Sequence, residues 1–328
     1  MGSTLSFPIV QLPEDRIFLI TGGNTGIGYE TAKQIATMGG HVIIACRNEV
    51  KAKAAVEKMQ QEFQGARKDG KLSDITREKL NVQYMIVDLA SLKSTMAFIE
   101  NFIASGNPLH VLICNAGIGF APRSYTEDGY ESMFQVNYLS QFLIMAHLLP
   151  VMKRSGDDCR IILVSSIAHK FASFCMSTIQ GKEVSNFNRM KYYGNSKMYQ
   201  IMQMYSMVRR LQGSNITVTA LHPGIVDSEL SRNFQDRFYY KHIYTVGRLF
   251  GVVRNLYQGS ATSLTCAVNP ELRGTTGVYF VDAKPATSSR ESRNTEYQEQ
   301  LWKYTLDCLK DYLTDDAIMG LKEVTSER

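Results

Sequence analysis

Along the chain, short apolar runs alternate with longer stretches in which apolar residues recur every three to four positions. The runs are "RIFLIT" (16–21), "HVIIACR" (41–47), "VQYMIVDLA" (82–90), "PLHVLICNAG" (108–117), "RIILVSS" (160–166) and "ITVTALHPG" (216–224). Most are near-continuous Val, Ile and Leu, which marks strands buried on both faces and paired in parallel. The stretches between them have helical spacing. They include "YETAKQIATMGG", "EVKAKAAVEKMQQEF" and the segments at about 91–104, 127–152 and 190–212. This alternation predicts an α/β chain with a doubly wound parallel sheet and right-handed crossovers. Residues 64–80 are polar and read as a surface insertion, whereas 225–260 break the alternation and predict a helical flap. "TGVYFVD" (276–282) predicts a late strand and 295–309 a closing helix. With no linker or repeat in between, a single domain is expected over 14–312, with an extension at 1–13 and a tail at 313–328.

Composition narrows the function classes. The 328 residues are 44% hydrophobic, which suits an ordinary packed core. The net charge of +5 is spread along the chain rather than gathered in a stripe, so no nucleic-acid partner is expected. The six cysteines form no CxxC pair and several sit in apolar runs. They predict reduced thiols in a cytoplasmic setting and no metal site. No apolar run is long enough to span a membrane, and the first residues lack a signal-peptide pattern. They read "MGSTLS", which matches the pattern for myristoylation at Gly2 and equally a cloning remnant.

Two stretches carry candidate chemistry. "TGGNTGIG" joins the first predicted strand to the first helix, where Gly22, Gly26 and Gly28 permit a tight turn and close backbone approach. The helix N-terminus beyond offers free N–H groups to a pyrophosphate. The second strand ends in Cys46-Arg47, where an NAD site usually holds a carboxylate for the ribose 2′-hydroxyl. A guanidinium there favours a 2′-phosphate, hence NADP(H) over NAD(H). The other stretch is "RMKYYGNSKMYQ" (189–200), in which Tyr193 and Lys197 are four residues apart and share a helix face. At ~4 Å and an effective dielectric near 20, the ammonium would favour a phenolate by ~4 kcal/mol. That is roughly three pKa units, enough to bring the phenol close to neutral pH.

Taken together, these residues resemble the short-chain dehydrogenase/reductase family, over about residues 14–310. The glycine motif is Thr21–Gly28, with Asn24 and Ile27 inside it; the adenine-pocket acid matches Asp88 in "VDLA". The loop after the fourth strand is "CNAG", with Asn115, Ala116 and Gly117 in place and Cys114 where asparagine is common. The Pro223-Gly224 turn and Ser228 match positions near the nicotinamide. The resemblance implies a Rossmann fold and a catalytic set of Asn137, Ser166, Tyr193 and Lys197. Tyr193 would transfer the proton, Ser166 would bond the carbonyl oxygen, and Lys197 would tune the phenol and hold the ribose. Asn137 would position a relay water, or else act as a buried amide satisfying backbone groups. Ser165 adjoins Ser166, and strand alternation lets only one face the cofactor.

"HVIIACRN", "FQVNYL" and "VSSIAHKF" place the resemblance near the retinol dehydrogenase and WW-domain oxidoreductase branch. The implied function is reduction or oxidation of an apolar carbonyl–alcohol pair of retinoid, steroid or other lipid origin. The alternative is a non-catalytic nucleotide-binding protein on the same fold. Phe171, Phe174, Met176, Phe187 and Met190, in the long connection before Tyr193, are expected as pocket wall or as core packing. In the flap, Ile243, Val246, Leu249, Phe250, Val253, Leu256 and Tyr257 form one helical stripe. Two readings fit it: a helix capping its own domain, or a lip on an intracellular membrane or lipid droplet. The long helices near 127–152 and 190–212 offer a face on which a homodimer could form, though the sequence does not show one.

Overall fold

A computed structural model of the chain describes residues 6–72, 75, 77–226 and 253–322. Gly2, Ser228 and most of the flap, including Ile243, Val246, Leu249 and Phe250, lie outside the described residues. The chain begins β1 (Ile17–Thr21), α1 (Gly26–Met38), β2 (His41–Cys46), α2 (Glu49–Lys68), β3 (Val82–Ile86), α3 (Leu92–Ala104) and β4 (Val111–Cys114). Next come α4 (Ser132–Phe134), a π-helical turn (Gln135–Leu139), α5 (Ser140–Lys153), β5 (Cys159–Val164), α6 (Arg189–Arg210) and β6 (Ile216–His222). The remainder is β7 (Ile225–Val226), β8 (Val253–Arg254), α7 (Leu256–Val268), β9 (Tyr279–Val281), β10 (Lys284–Ala286), α8 (Thr295–Cys308) and α9 (Asp315–Gly320).

Eight strands form one sheet in the order β10-β9-β6-β5-β4-β1-β2-β3, parallel except for the β9–β10 hairpin at the edge. The order reverses between β1 and β4, the place where a doubly wound sheet opens a crevice at its carboxyl edge. Period-two alternation divides the core. Leu19, Leu112, Leu163 and Ala220 face α3, α5 and α6; Phe18, Ile20, Ile113 and Val164 pack on the side of α1, α2 and α7. Each fully buried Leu, Ile or Phe contributes about 1.5–3 kcal/mol of transfer free energy, so both layers hold the sheet firmly. Side-chain caps set the helix starts: Asn48 accepts from Lys51 N, Ser91 from Ser94 N and Asn188 from Lys191 N.

Several boundaries differ from the sequence expectation. The helix predicted from 127 begins at Ser132, because Glu131 caps it through the backbone N–H groups of Met133 and Phe134. A π turn then interrupts it at Gln135–Leu139. The sequence expectation also stopped short of Lys68 in α2, and it lacked the β9–β10 hairpin, which turns through Asp282 and Ala283 at positive φ. Leu256 and Tyr257 open α7, so the end of the expected flap is part of the core layer rather than of an insertion. The segment expected as a tail carries α9, whose Ala317 is buried against the layer containing α5.

The outer faces of α5 and α6, expected as a dimer surface, are covered within the chain by α8 and α9. Trp302 meets Phe142 edge-on with ring centroids 5.1 Å apart and lies under the Arg210 guanidinium at 4.0 Å. Glu299 pairs with Arg209 and Arg210 at 2.7 and 2.8 Å, and the Tyr312 carbonyl lies 3.0 Å from His147 Nε2.

Candidate active site

The crevice at the carboxyl edge has a volume of about 530 Å³, within the usual span of ligand sites. Its floor is the β1–α1 loop, with Gly22, Asn24, Gly26, Ile27 and Gly28 in the wall. Gly22 and Gly26 have φ of +68° and +61°, a left-handed backbone that favours glycine. A β-carbon on Gly28 would collide with Asn115 Nδ2 and the Gly22 carbonyl, so a side chain there is excluded. The Thr21 hydroxyl accepts from the backbone N–H of both Asn115 and Ala116 at 3.0 Å, and Asn115 Nδ2 donates to the Thr21 carbonyl at 2.9 Å. The ends of β1 and β4 are thereby locked together. Gln141 joins the same knot at Thr21 and the Ala116 carbonyl, beside the position where Cys114 departs from the common asparagine. This bare-backbone cradle at a helix N-terminus fits a dinucleotide pyrophosphate.

Further along the crevice stand Arg47, after β2, and Asp88, after β3. Arg47 is exposed and forms no ion pair with any described residue. Asp88 Oδ1 accepts from Ala90 N at 3.0 Å, which fixes the carboxylate at the rim. At the far end come Ala116, Gly117, Tyr193, Lys197 and Pro223. Gly224 stands outside the lining, with φ +92°, and a β-carbon added there would collide with the Arg254 side chain.

The reactive side chains meet where α6 passes the end of β5. Tyr193 is 4% exposed, and Ser166 stands close enough to its phenol to oppose the upward push of burial. Ser166 Oγ accepts from Ala168 N at 3.2 Å, which leaves its proton to donate. Ser165 contributes to the crevice wall, but its hydroxyl donates to the Lys197 carbonyl at 2.7 Å and so braces α6. Of the two adjacent serines, Ser166 is the one that acts on the phenol, although it is not part of the crevice lining. Gly194 makes this meeting close: a β-carbon there would lie 2.6 Å from the Ala168 carbonyl oxygen. Gly194→Ala is therefore expected to cost about 1–3 kcal/mol of stability and at least roughly tenfold in kcat. Thermal unfolding run beside steady-state kinetics checks both.

Two expectations need correction. Tyr193 and Lys197 do share a face and line the same crevice, yet the ammonium lies 6.0 Å from the Tyr193 ring centroid. It donates instead to the Val164 carbonyl at 3.0 Å and to Gln200 Oε1 at 3.3 Å. Burial therefore dominates: the phenol is pushed up to about 12, with Ser166 opposing, and the Lys197 ammonium is pushed down to about 8. Four-residue spacing sets the face, but the long lysine stem decides where the charge lands. Asn137, in the π turn, has its amide fully engaged. It accepts from Ile118 N at 2.8 Å and donates to the Ile118 carbonyl and Ser196 Oγ, both at 2.9 Å. Its carbonyl takes Gln200 Nε2 at 2.9 Å. The geometry matches the buried-amide alternative, a clamp on the loop after β4.

Sequence reasoning missed Gln200 and Phe120. Gln200 bonds both Lys197 and Asn137, and its position three residues after Lys197 on the same helix was a usable signal. Phe120 holds φ of +55° and packs its ring 4.4 Å from that of Tyr193, which no periodicity announces. Of the expected wall residues, Phe171 and Met190 are exposed. Phe174 instead stacks on Tyr297 at 4.9 Å and Phe187 on Tyr192 at 4.1 Å, and Met176 packs against the core.

Comparison with known proteins agrees with this geometry. The short chain dehydrogenase family model matches residues 16–237. Retinol dehydrogenase 12 of Mus musculus is 36% identical over 92% of this chain and 88% of its own length. The WW domain-containing oxidoreductase of Homo sapiens is 35% identical over 92% and 70%, and human polyprenol dehydrogenase 34% over 90% and 85%. Among solved structures, an uncharacterized protein from Mycobacterium paratuberculosis has a TM-score of 0.70 at 23% identity, covering 94% of this chain and 98% of its own. The RhlG/NADP complex of Pseudomonas aeruginosa has a TM-score of 0.60 at 22% identity, covering 85% and 97%. The chain belongs to the short-chain dehydrogenase/reductase family, as an oxidoreductase acting on CH–OH groups with relatives of the retinol dehydrogenase kind.

Proposed function

We propose that the protein interconverts an apolar carbonyl and its alcohol with NADP(H), using Tyr193 as the proton donor and acceptor. The observation that carries this reading is the meeting of the buried Tyr193 and Lys197 in the wall of a glycine-floored crevice, with Ser166 beside the phenol. The glycine loop, Asp88 and Lys197 would hold the dinucleotide, whose nicotinamide would supply or accept the hydride. Tyr193 protonates the carbonyl oxygen in reduction and takes the hydroxyl proton in oxidation. Ser166 donates to the same oxygen as negative charge builds on it. Lys197 brings a positive charge to the crevice wall, where it would hold the ribose hydroxyls of the cofactor, and Asn137 and Gln200 fix the elements around it. Ser228, proposed for the nicotinamide side, lies outside the described residues.

Arg47 supports NADP(H): it is an unpaired guanidinium in the crevice wall at the end of β2, where a 2′-phosphate would sit. Arg47→Ser is expected to weaken NADPH binding roughly 10- to 100-fold and to leave NADH binding nearly unchanged. Nicotinamide fluorescence titration separates the two. An apolar substrate is supported by the Phe120 ring against Tyr193 and by two relatives named for retinol and polyprenol. Peripheral contact with a membrane or lipid droplet, proposed from the apolar stripe of residues 243–257, rests on that sequence pattern, most of which lies outside the described residues. Among the described residues no helix is long and apolar enough to cross a membrane.

Turnover of retinaldehyde, steroid ketones and fatty aldehydes, followed with NADPH and with NADH, tests the assignment. Reduction of apolar aldehydes with NADPH is expected. Tight NADPH binding without turnover across the whole panel would defeat it.

A further inference from the structure

We propose that His169 and His222 are positioning residues for the reaction, two buried imidazoles that grip the Ser166–Ile167 peptide unit and so fix where the Ser166 hydroxyl points. His169 Nδ1 lies 2.6 Å from the Ser166 carbonyl oxygen, and His222 Nδ1 accepts from Ile167 N at 3.2 Å. That carbonyl and that N–H belong to one peptide plane and point in opposite directions when it is trans. The two rings thus hold both poles of the plane next to the Ser166 α-carbon, and tilting it would displace the hydroxyl. Neither histidine lines the crevice; each acts through Ser166.

The partners determine the tautomers. His169 Nε2 accepts from Ser289 N at 3.1 Å, so the ring proton is on Nδ1 and donates to the Ser166 carbonyl. His222 accepts at Nδ1, so its proton is on Nε2. Both rings are neutral. Burial pushes His222 down to about 4, helped by the facing Arg254 guanidinium, with His169 and Lys170 acting in the same sense and Asp282 against. Burial also lowers His169, with Lys170 adding to it and the Ser166 carbonyl opposing. The Tyr279 ring packs edge-on against His169 at 5.1 Å. The grip therefore joins the ends of β5 and β6 to the segment that follows β10.

This inference rests on the reading of Ser166 as the donor to the substrate oxygen. Four conservative variants of the full chain test it: His169→Asn, His169→Gln, His222→Asn and His222→Gln. Asparagine places a polar atom near the position of Nδ1, and glutamine near that of Nε2. Both asparagine variants are expected to keep kcat within about threefold. Both glutamine variants are expected to lose roughly ten- to hundredfold in kcat, with KM and NADPH affinity little changed. Hydrogen exchange at the Ile167 amide should quicken in His222→Gln and stay slow in His222→Asn.

Equal kcat losses in asparagine and glutamine variants, or the reverse order, overturn the proposal. So does slow Ile167 exchange in every variant. Ser166→Ala separates the two levels: normal turnover there defeats the reading of Ser166, while exchange at Ile167 still decides whether the grip exists.

Discussion

Tyr193→Phe is expected to bind NADPH as the parent chain does and to lose about 10²- to 10⁴-fold in kcat, the usual contribution of a positioned proton-transfer group. The change is clean because the Tyr193 ring is buried and packed on Phe120, contacts that phenylalanine keeps. Only the phenolic hydroxyl, beside Ser166, is lost. With the phenol held up near 12 in the free chain, it is protonated at neutral pH and ready to donate. Reduction should therefore be nearly flat through neutral pH, while oxidation, which needs the phenolate, should climb as pH rises. Stopped-flow turnover in both directions, with parallel binding titrations, reads the effect. A Tyr193→Phe chain that still reduces aldehydes at parental rates would remove the phenol from the reaction.

Lys197→Met is expected to inactivate the enzyme and, at neutral pH, to stabilise it. The folded chain holds this ammonium at about 8 against an ordinary 10.5, because burial disfavours its charge. The folded state thus binds the proton more weakly than the unfolded state, so the charge costs stability fully below pH 8. That cost is relieved as pH rises from about 8 to about 10.5. The shift corresponds to ~3 kcal/mol, reduced to roughly 1–2 kcal/mol once the bonds to Val164 and Gln200 are lost. Urea unfolding should show the methionine chain more stable at pH 7 and the gap closing by pH 10. A gap that is constant with pH, or of opposite sign, contradicts a penalised charge at Lys197.

The parallel sheet was legible because its central strands are apolar on both faces, and the cradle because Gly22, Gly26 and Gly28 sit between a strand and a helix. Tyr193 and Lys197 were legible from a single helical turn. What the sequence could not show is how side chains reach across elements. The ammonium of Lys197 runs to Val164 and not to the phenol, a matter of stem length and of a carbonyl 33 positions away. Asn137 looks like a polar group free for chemistry until Ile118 is seen to take both ends of its amide. The start of α7 was misread because "VVRNLYQGS" continues an apolar stripe, while the Asn255–Gln258 capping box that starts a new helix is short. The covering of α5 and α6 by α8 and α9 joins parts of the chain far apart in sequence, and nothing in the spacing of Trp302 says which surface it will meet.

Every proposed reactive side chain lies before residue 200, yet the amide that anchors His169 belongs to Ser289 and the cover over Phe142 to Trp302. On a ribosome, such a chain acquires its chemistry early and its rigidity late. A premature stop after residue 288 would spare each of those groups and still release a protein whose nucleotide crevice was built around an unsecured serine.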